Sequence, residues 1–269
     1  MAVKPKGLLI DITRCIGCGA CSDACKKAND LPEKVDPVLN QDTWTVVEER
    51  KKDVFVRDLC RHCLDPACVS VCPVGALEKT PAGPVIYDKS ICLGCRYCML
   101  GCQFKIPRFE WFSPTPRIRK CILCEPRVRE GKPTACAEAC PTEATVFGDR
   151  DTLVKMAEAR IAANPEKYDP HIYGMEEVGG TSVIFLSPVP FEDIGFDRSI
   201  DKFPLPELTF RILQHVPTIV VAGAALLGGS YFLFKRKAKV AEAAEKEAAA
   251  KEAAGKDAGE AEGKEEADE

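Results

Sequence analysis

What this chain of 269 residues lacks narrows it first. It has no G-x-G-x-x-G fingerprint, no phosphate-binding loop and no nucleophile elbow, so no familiar nucleotide or acyl-transfer site is present. A formal net charge of only −4 gives no reason to expect nucleic acid or a strongly anionic partner. The opening residues, Met1 to Gly7, carry neither a twin-arginine pair nor an apolar h-region; the expectation is a chain without a secretory signal of its own. No cysteine follows Cys140. With nowhere evident to bind a substrate, the chain is not expected to be an enzyme by itself.

Cysteine is what the chain has in excess. All 16 lie between Cys15 and Cys140. A disulfide scaffold spreads its cysteines through a short secreted chain, whereas dense local grouping presents thiolates to metal. Cys15, Cys18, Cys21 and Cys25 follow C-x2-C-x2-C-x3-C, and Cys92, Cys95, Cys98 and Cys102 repeat it. Cys60, Cys63, Cys68 and Cys72 widen the middle gap to four residues; Cys121, Cys124, Cys136 and Cys140 widen it to eleven. The unwidened form is the bacterial two-cluster ferredoxin run, whose fourth cysteine ligates the other cluster.

The geometry explains the spacing. Three thiolates at C-x2-C-x2-C wrap one face of an iron–sulfur cube, and the fourth, a helical turn on, points the opposite way. Soft thiolates suit such clusters, and Gly17 and Gly94 let the backbone approach the inorganic core. Tetrahedral zinc takes two separated C-x2-C pairs, leaving the third closely spaced cysteine of two runs without a role. Four [4Fe–4S] clusters are therefore expected. All sixteen positions are cysteine, so no [3Fe–4S] site is expected.

Four regions follow along the chain. Residues 1–150 hold every cysteine. Residues 151–204 form a cysteine-free extension expected to pack on them, with a helix capped by Asp151 or Thr152, whose Leu153, Val154, Ala157 and Ile161 share a face, and a strand at Ser182 to Leu186. Residues 205–237 carry one candidate membrane span, the uncharged stretch Val216 to Phe234, close to the ~20 residues a bilayer requires. Tyr231, Phe232 and Phe234 stand where an aromatic belt belongs; a buried core helix is the alternative. Residues 238–269 are a charged, low-complexity tail. An internal repeat runs through the first region: Asp11 and Asp88 each precede a quartet by four residues, and Cys72-Pro73 parallels Cys140-Pro141. The expected fold class is α+β, with two ferredoxin-like units and a single C-terminal transmembrane helix.

These quartets resemble the four-cluster ferredoxin-type subunit of membrane-bound molybdenum and [NiFe] enzymes, over residues Lys6 to Phe147. The stretches His171-Ile172-Tyr173-Gly174, Val178-Gly179-Gly180-Thr181 and Val189-Pro190-Phe191, with the single span, are similar to the formate dehydrogenase and hydrogenase-2 branches. The resemblance implies nested pairing. One unit would place Cys15, Cys18, Cys21 and Cys140 on one cluster and Cys25, Cys121, Cys124 and Cys136 on another. A second unit (55–110), inserted in the first, would place Cys60, Cys63, Cys68 and Cys102 on a third and Cys72, Cys92, Cys95 and Cys98 on a fourth. Proline follows Cys72 and Cys140 but not Cys25 or Cys102, where Lys26 and Gln103 stand.

The resemblance further implies electron transfer between a molybdopterin- or [NiFe]-containing catalytic subunit (formate dehydrogenase preferred) and a membrane cytochrome b or other quinone-reactive subunit. A quinol-driven molybdenum reductase fed through the same clusters is the alternative, and a zinc-stabilised membrane scaffold is the alternative from another class. Lys235, Arg236, Lys237, Lys239 and Lys246 follow the span while only Lys202 and Arg211 precede it closely, which places the tail in the cytoplasm and the cluster domain outside. Export would then depend on a partner's twin-arginine signal. Among other residues, His62 is expected either to bond to cluster sulfur or to lie on the surface. His171 is expected to stabilise the extension, and His215 to lie at the membrane interface or else to face a haem or quinone in a neighbouring subunit. Trp44 and Trp111 read as packing or partner contacts, and Arg117, Arg119 and Lys120 as a solvated face by default, or else as charges that raise a cluster potential or face a partner.

Overall fold

The computed structural model describes residues 4–265, with side-chain surroundings through Lys251. By its contacts the chain divides into two units, Met1–Thr209 and Phe210–Glu269. The first is built from four successive copies of one pattern: a strand, a cysteine loop, helix, then a strand. The first copy is β1 (Lys6–Asp11), α1 (Ala20–Ala28) and β2 (Val46–Lys51). The second is β3 (Val54–Asp58), α2 (Ala67–Ser70) and β4 (Leu77–Lys79). The third is β5 (Val85–Tyr87), α3 (Tyr97–Leu100) and β6 (Arg108–Phe109). The fourth is β7 (Ile118–Arg119), α4 (Glu125–Arg129), α5 (Ala135–Glu138) and β8 (Thr145–Asp149).

The strands join each copy to the next. β2 pairs with β3, β4 with β5 and β6 with β7, all antiparallel, and β8 returns to pair antiparallel with β1. The helices associate differently: α1 packs on α5, and α2 on α3. The first and last copies are therefore brought together, and so are the middle two.

The cysteine-free stretch completes the sheet at the chain's start. α6 (Arg150–Ala163) follows β8 directly, and β9 (Val183–Leu186) lies parallel to β1, giving the order β8-β1-β9. Side-chain alternation divides this sheet cleanly. Leu8, Ile10, Val183 and Phe185 face the core that includes Cys25, Cys60, Cys121 and Cys136. Leu9, Ile184 and Leu186 face the other way, onto Leu153 and Ala157 of α6, with Val154 and Ile161 at the margin. α6 begins one residue before the expected caps; Asp149 precedes it and makes no side-chain cap. His171 Nε2 lies 2.7 Å from Glu177 Oε1, and its ring meets Tyr173 and Phe191 edge-on.

The C-terminal part holds α7 (Leu205–Leu213) and α8 (Val216–Glu265). One helical stretch here is long and apolar enough to cross a membrane. Its Val220, Leu226, Leu227, Phe232 and Phe234 are exposed, which a core helix would not tolerate. The charged tail continues α8 rather than ending it, with Glu242–Lys246 and Glu247–Lys251 pairs one turn apart.

Candidate metal centres

Each cysteine loop makes the same backbone turn. The residue just before the second cysteine has a positive φ in all four: Gly17 (70°), His62 (49°), Gly94 (71°) and Leu123 (54°). In three of the four loops the amide of this left-handed residue turns back onto the first cysteine's sulfur. Gly94 N–H donates to Cys92 Sγ at 3.4 Å and Leu123 N–H to Cys121 Sγ at 3.3 Å; Gly17 N–H does the same for Cys15. The third cysteine then sits on a helix, at Cys21, Cys68, Cys98 and Cys136.

The closing cysteine of three loops meets the amide four residues on: Ala76 N–H at 3.2 Å from Cys72 Sγ, and likewise Ile106 for Cys102 and Ala144 for Cys140. Gly75, Lys105 and Glu143, just before those amides, have positive φ. Cys102 makes this turn without a following proline. Cys25 alone lies inside a longer helix, and there the side chain of Asn29 takes the amide's place, with Nδ2 3.7 Å from Cys25 Sγ. Amides aimed at sulfur stabilise thiolate ligands and tune a cluster's potential.

These turns gather the cysteines into four sets. Cys15, Cys18, Cys21 and Cys140 line one cavity; Cys25, Cys121, Cys124 and Cys136 line a second. Cys63 lies among Cys60, Cys68 and Cys102, and Cys98 among Cys72, Cys92 and Cys95. The sets also meet in sequence. Cys21 stands near Cys136, Cys121 near Cys60, and Cys68 near Cys98. Of the sixteen, the two exposed cysteines, Cys18 and Cys95, belong to the two end sets.

The chemistry of the donors tests what they fit. Four sulfurs on tetrahedral zinc at ~2.3 Å would lie about 3.8 Å apart. No group of three or more potential ligands among the described residues is close enough to hold a single ion. Donors that surround a cavity at wider spacing suit a cluster instead. Burial pushes the Cys25 and Cys68 thiols up to about 12 and the Cys98 thiol to about 11, so these sulfurs ionise only against bound metal. Cys140 goes the other way: burial raises it, but N–H groups of Thr142, Ala144 and Thr145 and the Thr142 hydroxyl more than offset this.

Buried cations accompany the sulfurs. Arg57 lines the cavities of the Cys15 set and the Cys25 set, with Nε donating to Thr45 Oγ1 at 2.9 Å and Nη1 to Thr145 Oγ1 at 3.2 Å. Burial works against its charge, and the nearby sulfurs of Cys136, Cys21 and Cys121 more than compensate. Lys120, expected on a solvated face, is instead buried beside Cys68, donating to the carbonyls of Val85 at 2.5 Å and Cys121 at 3.1 Å. Arg119 of that trio pairs with Glu110 at 2.5 Å. His62 is buried too, which removes the surface alternative; its Nδ1 accepts from Val85 N–H at 2.9 Å and its Nε2 meets no hydrogen-bond partner among the described residues. Burial, then the charges of Lys120 and Lys79, hold the His62 ring neutral. Trp44 is a packing residue and Trp111 is exposed, while His215 is exposed in the second unit. Sequence reasoning missed Arg57. Its signal was position: a lone arginine two residues after Phe55 on a strand leading straight into Cys60.

Comparison with known proteins agrees with this chemistry. Two matches to the 4Fe-4S dicluster domain family cover residues 14–76 and 51–150. A protein of Nitratidesulfovibrio vulgaris is 43% identical over 252 residues, spanning 87% of this chain and 68% of the relative. The hydrogenase-2 operon protein HybA of Escherichia coli O157:H7 is 33% identical over 280 residues, 87% of this chain and 85% of the relative. The iron–sulfur subunit of nitrate-inducible formate dehydrogenase from Escherichia coli K12 is 37% identical over 197 residues, 66% of each chain. Sixteen cysteines in loops that turn amides onto sulfur, and this extent of similarity, lead to one conclusion: the chain belongs to the family of 4Fe-4S dicluster iron–sulfur subunits that includes HybA and the formate dehydrogenase subunits, a non-catalytic electron carrier with four [4Fe–4S] clusters.

Proposed function

We propose that this chain relays single electrons through four clusters in line, between a catalytic subunit that oxidises formate or hydrogen and a quinone-reactive membrane subunit. The observation that carries the reading is the linear adjacency of the four cysteine sets, with Cys18 and Cys95 exposed only at its ends. When bound, the clusters supply reversible one-electron redox chemistry. The chain's own residues do the rest. Cys15, Cys18, Cys21 and Cys140 hold one end, followed by Cys25, Cys121, Cys124 and Cys136, then Cys60, Cys63, Cys68 and Cys102, and Cys72, Cys92, Cys95 and Cys98 hold the other end. The apolar neighbours Leu8, Ile10, Trp44, Leu123 and Ile118 keep water from the interior of the line. In this reading two ferredoxin-like units are nested, 55–110 within 1–150, with 151–204 packed on them.

The span at 205–237 anchors the chain. Five cations follow it closely against two before it, which favours a cytoplasmic tail and a cluster domain on the extracytoplasmic side.

Anaerobic purification of the chain with whatever accompanies it tests the relay, with about sixteen irons per chain and four reducible paramagnetic signals expected. Cys18→Ser and Cys140→Ser should alter the same signal, although they lie at opposite ends of the cysteine region. Stoichiometric zinc, or a Cys140→Ser effect shared with Cys121→Ser instead, would overturn the reading.

A further inference from the structure

Arg57 occupies a place unlike that of any other charged residue described here. It lies on β3, next to its last residue, with 2% of its surface exposed, and it lines the cavity of Cys15, Cys18, Cys21 and Cys140 together with that of Cys25, Cys121, Cys124 and Cys136. Its side-chain hydrogen bonds go to two buried hydroxyls, those of Thr45 and Thr145, and to the sulfur of Cys136 in one of the two sets. No carboxylate forms an ion pair with it among the described residues. A guanidinium stays charged in a protein, and a buried charge requires a compensating one. The anions available to it are the sulfur sets on either side.

We propose that Arg57 is a shared counter-ion that sets the reduction potentials of these two clusters and leaves the other two alone. The proposal rests on the cysteine sets assigned above. One-electron reduction adds one negative charge to a cluster and makes or breaks no bond at Arg57. A fixed positive charge, clamped between two threonines in a water-poor interior, favours the reduced form of each flanking cluster and raises both potentials. Holding the guanidinium by neutral hydroxyls rather than a carboxylate leaves its charge unspent. Arg57 is thus a positioning residue for charge and binds no iron.

The test is a redox titration of the full chain in its native membrane or complex, followed by paramagnetic resonance, for the natural protein, R57Q, R57K and T45D. R57Q removes the charge; T45D neutralises it in place by setting a carboxylate against Nε. Both should lower the reduced-to-oxidised ratio of two signals at least tenfold at fixed potential, a shift of about 59 mV or more for a one-electron couple. The other two signals should keep their midpoints, and R57K should lie between. Unchanged midpoints at full iron loading, or an equal shift in all four signals, would overturn the proposal. So would R57Q and T45D both failing to load iron while R57K loads fully, since that assigns Arg57 to assembly. The natural chain's own iron content and four signals stand or fall separately, so failure here leaves the relay itself intact.

Discussion

Asn29 Nδ2 lies 3.7 Å from Cys25 Sγ, where the other three closing cysteines meet a backbone amide. The substitution follows from local structure. α1 runs through Ala28, so the amide four residues after Cys25 is turned along the helix, and a side chain reaches the sulfur instead. Asn29 Nδ2 also donates to the Cys25 carbonyl at 2.8 Å, which fixes its direction.

Asn29→Ala should therefore lower the potential of one cluster only, the one bound through Cys25. The effect should be smaller than that of R57Q, because one neutral hydrogen bond is lost rather than a charge. Paramagnetic titration reads it, with three of the four midpoints expected to stay in place.

A second prediction concerns the join between β1 and the cysteine-free stretch. Asp11 is fully buried, and its Oδ2 accepts from Arg160 Nη1 at 2.7 Å and Tyr168 OH at 3.0 Å. Arg160→Ala leaves that carboxylate without its cation, at a cost of roughly 3 kcal/mol. The melting temperature of the anaerobic protein should fall by several degrees. Asp11→Asn with Arg160→Leu should recover much of the loss, because no charge then remains buried.

Gly17 and Gly19 separate two reasons for glycine in one loop. Both have positive φ, but a Cβ on Gly17 would lie 2.5 Å from the Phe55 ring, whereas one on Gly19 meets nothing within 4 Å. Gly19→Ala should cost about 1 kcal/mol of backbone strain and keep full iron content. Gly17→Ala adds a collision beside Cys15 and Cys18 and should lose iron from one set. Iron per chain, measured for both variants, distinguishes them.

The membrane span makes a fourth prediction. Leu226 and Leu227 are exposed near the middle of the apolar stretch. Arginine at either position adds about 2.5–3.5 kcal/mol to insertion, and both together should move the chain out of the carbonate-resistant membrane fraction. The same double change should leave iron loading untouched, since all the cysteines lie in the other unit.

How much of this was legible beforehand depends on the scale of the signal. The C-x2-C spacings, the α6 face of Leu153 and Ala157 and the apolar run from Val216 all rest on patterns within a few residues, and those read directly. Gly17 and Gly94 announced their left-handed turns by residue type. His62 and Leu123 make the same turn without that label, because the loop imposes it on whatever side chain is present. The hairpin of β2 and β3 and the helix α4 inside the eleven-residue gap went unread: the strands are short and charged along one face, and α4 is little more than a turn. Which cysteines become neighbours is set by β8 returning to β1, a contact across most of the region that no local spacing encodes. Lys120 misled for the same reason. The two arginines just before it, Arg117 and Arg119, make a solvated run the default, and only the packing of β7 near β5 shows it turned inward to Val85.

The return of β8 to β1 also imposes a timetable on synthesis. Cys60 to Cys102 is one contiguous stretch that carries both α2 and α3, which pack on each other. Cys15 to Cys25 emerge earlier yet remain open-sided until Cys140 and β8 arrive. Of the cysteine segments, the one translated earliest is thus the last to be enclosed, and the cavity it lines is complete only once Cys140 has been made.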